Sequence, residues 1–579
     1  MSKTFDMIIR GGMIVDGTRK GKYQADIGIV EGVIADIGDL AGATATDEID
    51  AAGKIVAPGF IDLHTHYDAP IHWDPYCSNS GENGVTTVVL GNCGFGFAPC
   101  HAEHQDRYMK MMEYTEEVPF RQMKAALPWN WETFPQWLDH LKALPKGVNI
   151  LSFLPVNPLM IYVMGLEAAK SRGATPEELA QMKTLVHEAM DEGACGLGMS
   201  YLGEMNSHVD YDGTPMPTDT MQIADAEALA SVLAERNEGV IQSLSKLGPV
   251  GTFEFPEKVA RVSRRPIIHN VVATADMMPE MHLESLEWLD DMERQGLPIY
   301  GQAFLQRGWS EFKVTEFNGN DNQSDWIEMN LIKDIDEKLA HIAKPETRQS
   351  FRDNYDPMAL LQGSGPLEII TVTYVGDEPT AQKYLGRVLG ELAAEEGKHV
   401  TDVFLDVVAA SRCEADFKTP PPVATNPDIA TEVMLHPKVL AGTSDGGAHT
   451  KFFSGGHWPT ELLIWLVREE GKVTLEETHY RLSGQPAAVL GLKDRGTLQI
   501  GNAADIVVYG FEELKQADFA YETRYDQPDG DWRRYMPTEG FSHILVNGTV
   551  THENGKPNGA VPGAFLRITE NKRLSAAAE

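Results

Sequence analysis

Cysteine is scarce in this chain. Five occur in 579 residues (Cys77, Cys93, Cys100, Cys195 and Cys413), an odd number at irregular spacing. That pattern excludes a disulfide framework and leaves thiols. Long apolar runs are missing too. No window approaches the ~18 consecutive apolar residues of a membrane span, and the opening MSKTFDMIIRGGMIVDGTRK has no stretch long enough for a secretory core. A cytoplasmic protein with no membrane partner is expected. Positive charge is also short, with 49 Lys and Arg against 85 Asp and Glu and a formal net charge of −36. Such a field repels phosphate backbones, so no nucleic-acid partner is expected. The acidity reads as a solvated surface and does not identify a substrate.

What is present is a large globular chain. Hydrophobic residues at 42% and charged residues at 23% exclude disordered, collagen-like and coiled-coil classes. The length suits several domains or one large barrel with additions. Both ends are β-rich, with short apolar strands between Gly turns over the first ~55 residues. The same texture returns in Gly496–Gly501, Ala504–Tyr509, Ile544–Asn547 and Thr549–Thr551. Between the ends, apolar runs alternate with helical stretches such as Pro176–Gly193 and Asp225–Asn237. The runs are Phe60–His64, Val85–Leu90, Val148–Leu154, Cys195–Met199, Gly239–Ser243, Pro266–Val272, Leu297–Phe304 and Val439–Gly442. Eight parallel strands close a (β/α)8 barrel. The stretch 305–438 is too long for one connection and reads as an insertion over the barrel mouth.

The chemistry-bearing residues cluster at the predicted strand ends. His64-Thr-His66 follows the first strand, where alternation turns both imidazoles the same way, as a divalent metal such as Zn²⁺ requires. Cys93 follows the second strand between Gly91 and Gly94; its thiolate suits Zn²⁺, and a buried inert thiol fits the spacing equally well. Asp445 follows the eighth strand, as a ligand and proton acceptor or as a turn residue. His449, four residues on, reads as a supporting or substrate-side group, a proton shuttle or a loop histidine.

These motifs carry a resemblance. APGFIDLHTHYD (57–68), GVTTVVLGNCGFG (84–96), SDGGAH (444–449), QPAAVLGLKDRGTLQIGNAADIVVY (485–509) and ILVNG (544–548) resemble the amidohydrolase superfamily and, within it, the N-acyl-D-amino-acid deacylase (D-aminoacylase) branch. The resemblance implies an α/β fold, a metal-dependent (β/α)8 TIM barrel over 58–495 with a small β-sandwich domain from 1–57 and 496–579. It implies that His64 and His66 bind the more buried metal, that Cys93 is a shared ligand, and that Asp445 is ligand and general acid/base. Hydantoinase-like relatives carry a carbamylated lysine bridge, and Cys195–Met199 contains no lysine. The chain departs from the family pattern elsewhere. Strand five, Gly239-Val-Ile-Gln-Ser-Leu-Ser245, has no histidine; strand six offers His269 in its interior, either a ligand or a core residue; and Trp458-Pro-Thr460 replaces the usual His-Pro-Arg. Arg307, beyond strand seven, is the substitute clamp for a substrate carboxylate or else a structural ion pair.

The expectation is a metal-dependent hydrolase of an amide bond in a small N-acyl amino acid, holding one Zn²⁺, with two allowed. A cyclic amide, lactone or carbamate hydrolase is the alternative reaction, and a non-catalytic scaffold the alternative class. The expected partner is a small-molecule substrate, with homo-oligomerisation left open.

Overall fold

The computed structural model describes residues 4–204, 208–247, 250–318, 320, 323–357, 365–420 and 424–568. The last residues of the chain, 569–579, therefore lie outside the described part.

The barrel ring is complete. In chain order its strands are Phe60–Asp62, Val85–Leu90, Asn149–Ser152 continued by Leu154–Pro155, Gly196–Ser200, Val240–Leu244, Ile267–Val272, Ile299–Ala303 and Val439–Ala441. Each pairs in parallel with the next, and a bridge between Thr65 and Gly446 joins the eighth to the first. These runs carry almost no exposed residue because helices cover their outer face and side chains fill their inner one. The intervening helices obey local signals. Thr175 and Glu178 form a capping box with Pro176 in the first turn of Pro176–Glu192, and Asn237 ends Ile223–Arg236 in the left-handed conformation.

The chain ends build one nine-stranded sheet. Thr4–Ile14, Tyr23–Val30, Val33–Gly38, Thr44–Asp50 and Ile55–Pro58 come from the N-terminal part; Ile506–Tyr509, Phe541–Val546, Thr549–Glu553 and Lys556–Pro557 come from the other end. The seam is the antiparallel pair of Ile55–Pro58 with Ile506–Tyr509, and Ile9, Ile27, Val56, Ile506, Val508 and Leu545 share one apolar core across it. Ile55–Pro58 leads into the first barrel strand after Gly59, so the sheet holds the start of the barrel in place. Gly496–Gly501, expected as a strand, forms turns instead, its Leu498 N–H bonded to Asp16 O.

Residues 305–438 contain a three-stranded sheet of Glu311–Phe312, Asp416–Lys418 and Thr371–Tyr374, with the helices Leu389–Glu396 and Val400–Ala410. Phe312, Trp326, Phe351, Phe404 and Phe417 give this part a core of its own. Phe317 packs on Tyr114 at 4.7 Å between ring centroids, and Glu316 pairs with Arg121, so its first turn leans on the end of Gln105–Thr115 and on the segment that follows it.

Candidate metal centre

The candidate centre forms where barrel strands one and eight meet. The His66 N–H donates to the Gly446 carbonyl at 2.8 Å, and Ser444 Oγ donates to the His64 carbonyl at 2.9 Å. Thr65 turns away to donate to Val89 O at 2.7 Å, which puts the imidazoles of His64 and His66 together, 5.3 Å between centroids. Cys93 arrives from the turn after strand two, itself at φ 54° between Gly91 at 76° and Gly94 at 74°. Here glycine is required. A Cβ on Gly91 would lie 2.5 Å from the Phe153 carbonyl oxygen, and one on Gly94 2.8 Å from Met199 Cα.

Donor atoms of His64, His66 and Cys93 all lie within 4.8 Å of one another, with the thiol 3.4 Å from His64 Nε2. Asp445 brings Oδ1 to 3.2 Å from His64 Nε2 and 3.8 Å from His66 Nε2. Its side chain is 25% exposed against 3% and 2% for the two histidines, so Asp445 is the member that meets solvent. Burial lowers His66 to about 4 against the pull of Glu116, leaving neutral imidazole, the form that ligates metals. Burial, with Glu116, Asp445 and Asp219 nearby, pushes the Cys93 thiol up. Two imidazoles, a sulfur and a carboxylate at these spacings fit a borderline-soft divalent ion, Zn²⁺ above all.

Three residues not anticipated from the sequence stand beside this group. Glu116, buried just after Gln105–Thr115, places Oε2 3.3 Å from His66 Nε2 and 3.7 Å from His449 Nε2, and Oε1 3.6 Å from His208 Nε2. Burial opposes its charge, but those three imidazoles outweigh it and hold the carboxyl well below the usual range. Glu117 pairs with His449 Nδ1. Burial disfavours the His449 cation, yet Glu117, Glu116 and Asp445 together raise it to about 10. The His449 N–H also donates to the Glu116 carbonyl at 2.8 Å, tying the loop after strand eight to this helix end.

Strands five to eight contribute a ladder of amides. The Cys93 N–H donates to Gln242 Oε1 at 2.6 Å, Gln242 Nε2 to Asn270 Oδ1 at 2.9 Å, and Asn270 Nδ2 to Gln302 Oε1 at 3.1 Å; Gln302 Nε2 then reaches the Gly442 carbonyl. All three amide side chains are buried. Buried amides inside otherwise apolar strand runs were the readable signal for this ladder, whereas Glu116 has none beyond Glu-Glu-Val-Pro after a helix.

Two expected site residues are elsewhere. His269 does not join the metal donors: Asn270 points to the ladder, so its neighbour in the strand faces the opposite side, where Nδ1 meets Ser245 Oγ at 3.1 Å and the ring packs on Phe253 and Trp288. Arg307 is not a free clamp. It pairs with Glu461 at 2.5 Å and lies over the rings of Trp465 and Phe519, both 5.1 Å from its guanidinium carbon.

Residues 47–316 match the model of the amidohydrolase family. A D-aminoacylase of Alcaligenes xylosoxydans xylosoxydans is 27% identical over 98% of this chain and 99% of its own length. The N-acyl-D-glutamate deacylase of the same organism is 24% identical over 98% of this chain and 97% of its own. The crystal structure of N-acyl-D-glutamate deacylase from Bordetella bronchiseptica, complexed with zinc and a phosphonate inhibitor, aligns with a TM-score of 0.64 at 24% identity, covering 98% of this chain and all of that one. The barrel and its small β domain are thus an architecture shared with that structure, and the chain is similar to the amidohydrolase family and, within it, to the D-aminoacylase-like branch.

Proposed function

We propose that this amidohydrolase cleaves the linear amide bond of a small N-acyl amino acid, with the D configuration preferred, at a centre made by His64, His66, Cys93 and Asp445. The observation that carries the reading is the convergence of two buried imidazoles, a thiol and one solvent-reaching carboxylate at the C-terminal mouth of the barrel. The relatives, a D-aminoacylase and an N-acyl-D-glutamate deacylase, support the substrate class and its hand.

A Zn²⁺ ion held by these four residues would polarise the scissile carbonyl and acidify water. Asp445 accepts the proton of the water that adds to the carbonyl carbon, and returns it to the amine nitrogen as the C–N bond breaks, leaving a carboxylic acid and a free amine. His64, His66 and Cys93, shut away from solvent, hold the centre rigid. His449, fixed through Nδ1 by Glu117, turns Nε2 toward the same space and is the donor we place against a substrate oxygen. One ion per chain is expected, because the ladder positions on strands five and six are amides already bonded to one another. Among the described residues no helix is long and apolar enough to cross a membrane, and the cysteine-poor composition supports a cytoplasmic place for the enzyme.

A substrate panel tests the reading. N-acetyl-D-amino acids, their L-enantiomers, bulkier N-acyl derivatives, hydantoins and simple lactones are offered to zinc-loaded protein. Linear N-acyl amides should be hydrolysed best, the D forms ahead. Ring opening of hydantoins or lactones with every linear amide untouched would overturn the assignment, and inertness toward the whole panel would favour a scaffold.

A further inference from the structure

Glu116 is enclosed to the point that 2% of its side chain is exposed. A carboxylate out of water needs a cation or a full set of hydrogen bonds. Among the described residues neither lysine nor arginine pairs with it, and Oε1 has no hydrogen-bond partner. What surrounds it is imidazole: His66, His208 and His449 at 3.3, 3.6 and 3.7 Å.

The spacing to His66 is informative. Two neighbouring ligand atoms on one four- or five-coordinate ion, each about 2.0–2.2 Å from it, stand roughly 3–3.5 Å apart. His66 Nε2 and Glu116 Oε2 are separated by 3.3 Å, close to the 3.4 Å between Cys93 Sγ and His64 Nε2 and the 3.2 Å between His64 Nε2 and Asp445 Oδ1. Cys93, His64, Asp445, His66 and Glu116 therefore follow one another at ligand-to-ligand distances, with one wider step of 3.8 Å between Asp445 and His66. Glu116 stands at the far end of this run from Cys93, whose backbone is held by the strand-five amide Gln242.

We propose that Glu116 is a further ligand of the same divalent ion, a carboxylate supplied from the helix side of the site while strands five and six supply only amides. The inference rests on the metal-dependent reading above. It adds a metal cation to the His449 imidazolium already beside the buried charge, and it gives Glu117 and His449 a role in bracing the segment that delivers Glu116.

Cobalt titration tests it. Chelator-stripped parent, Glu116→Gln and Glu116→Asp proteins, each verified as folded by circular dichroism, are titrated with Co²⁺ while the visible d–d absorption is followed. Glu116→Gln should bind at least about tenfold more weakly, the lower bound for losing even a supporting group around a metal, and its absorption bands should differ from the parent's. Glu116→Asp, which keeps a retracted carboxylate, should show the same changes in weaker form, and it carries the test if the glutamine variant does not fold. A variant spectrum superimposable on the parent's overturns the proposal even if affinity falls, since Glu116 would then act only through His66. A parent that binds no Co²⁺ is a distinct failure, of the metal-dependent reading, and takes the proposal with it.

Discussion

Gln242→Leu removes the first rung of the amide ladder with little change in volume. Gln242 is fully buried, accepts the Cys93 N–H at 2.6 Å and donates to Asn270 Oδ1 at 2.9 Å. Leucine leaves one donor and one acceptor without partners in a region closed to water. Each such orphan costs about 1–3 kcal/mol, so the pair should lower stability by about 2–6 kcal/mol. The apolar gain is small, because the site is already filled. A second effect falls on the metal: Cys93 sits in a left-handed turn whose backbone the glutamine holds, so freeing that N–H loosens the loop that presents the thiol. Urea unfolding of the metal-free protein, followed by tryptophan fluorescence, reads the first effect, and competition with a zinc chelator reads the second. A midpoint equivalent to within ~0.5 kcal/mol of the parent, the range of an ordinary surface change, together with parental zinc affinity, would refute the view that the ladder positions the cysteine.

Three further outcomes follow from the geometry. Cys93→Ala should lose metal and activity together, whereas Cys195→Ala, a buried thiol away from the donor cluster, should keep both; elemental analysis of the two variants decides. Asp445→Asn keeps the shape but not the proton acceptor, so steady-state turnover should drop about 10²–10⁴-fold while some metal remains on His64, His66 and Cys93. Arg307→Ala strands the buried Glu461 carboxylate at a cost approaching the ~3–5 kcal/mol of a broken buried pair, discounted for the 19% exposure of the arginine side chain. Its KM for N-acyl amino acids should stay near the parent's; a raised KM with unchanged stability would restore Arg307 as a substrate clamp.

The barrel was legible because its strands are buried on both faces, and such strands appear as continuous apolar runs between Gly and Pro signals. Thr44–Asp50 escaped notice for the opposite reason. Its sequence TATDEID is mostly exposed, and only pairing with Thr4–Ile14 makes it a strand. Thr4–Ile14 runs as a single strand through Gly11 and Gly12, which read as turn residues, with an irregularity between Ile9 and Gly12. At the site, residues whose position is set by strand ends could be read directly, and His64, His66, Cys93 and Asp445 do lie together. His269 was read as a ligand or a core residue, and parity decides for the core: in a strand, one residue decides which face a side chain takes, and here the inward place belongs to Asn270. Arg307 was read as a clamp or a structural ion pair from its proximity to the mouth alone, and its partner in the pair, Glu461, lies 154 positions away. Glu116 depends on where a helix between strands two and three ends against the loop after strand eight, a packing relation with no local pattern.

The account turns on one ion at a centre of histidine, cysteine and carboxylate. Elemental analysis of the protein purified without added metal tests that most directly. Near one divalent ion per chain, with zinc predominant, is the predicted result; a firm stoichiometry of two would show that the amide ladder does not exclude a second ion, and none at all would contradict the metal-dependent hydrolase itself.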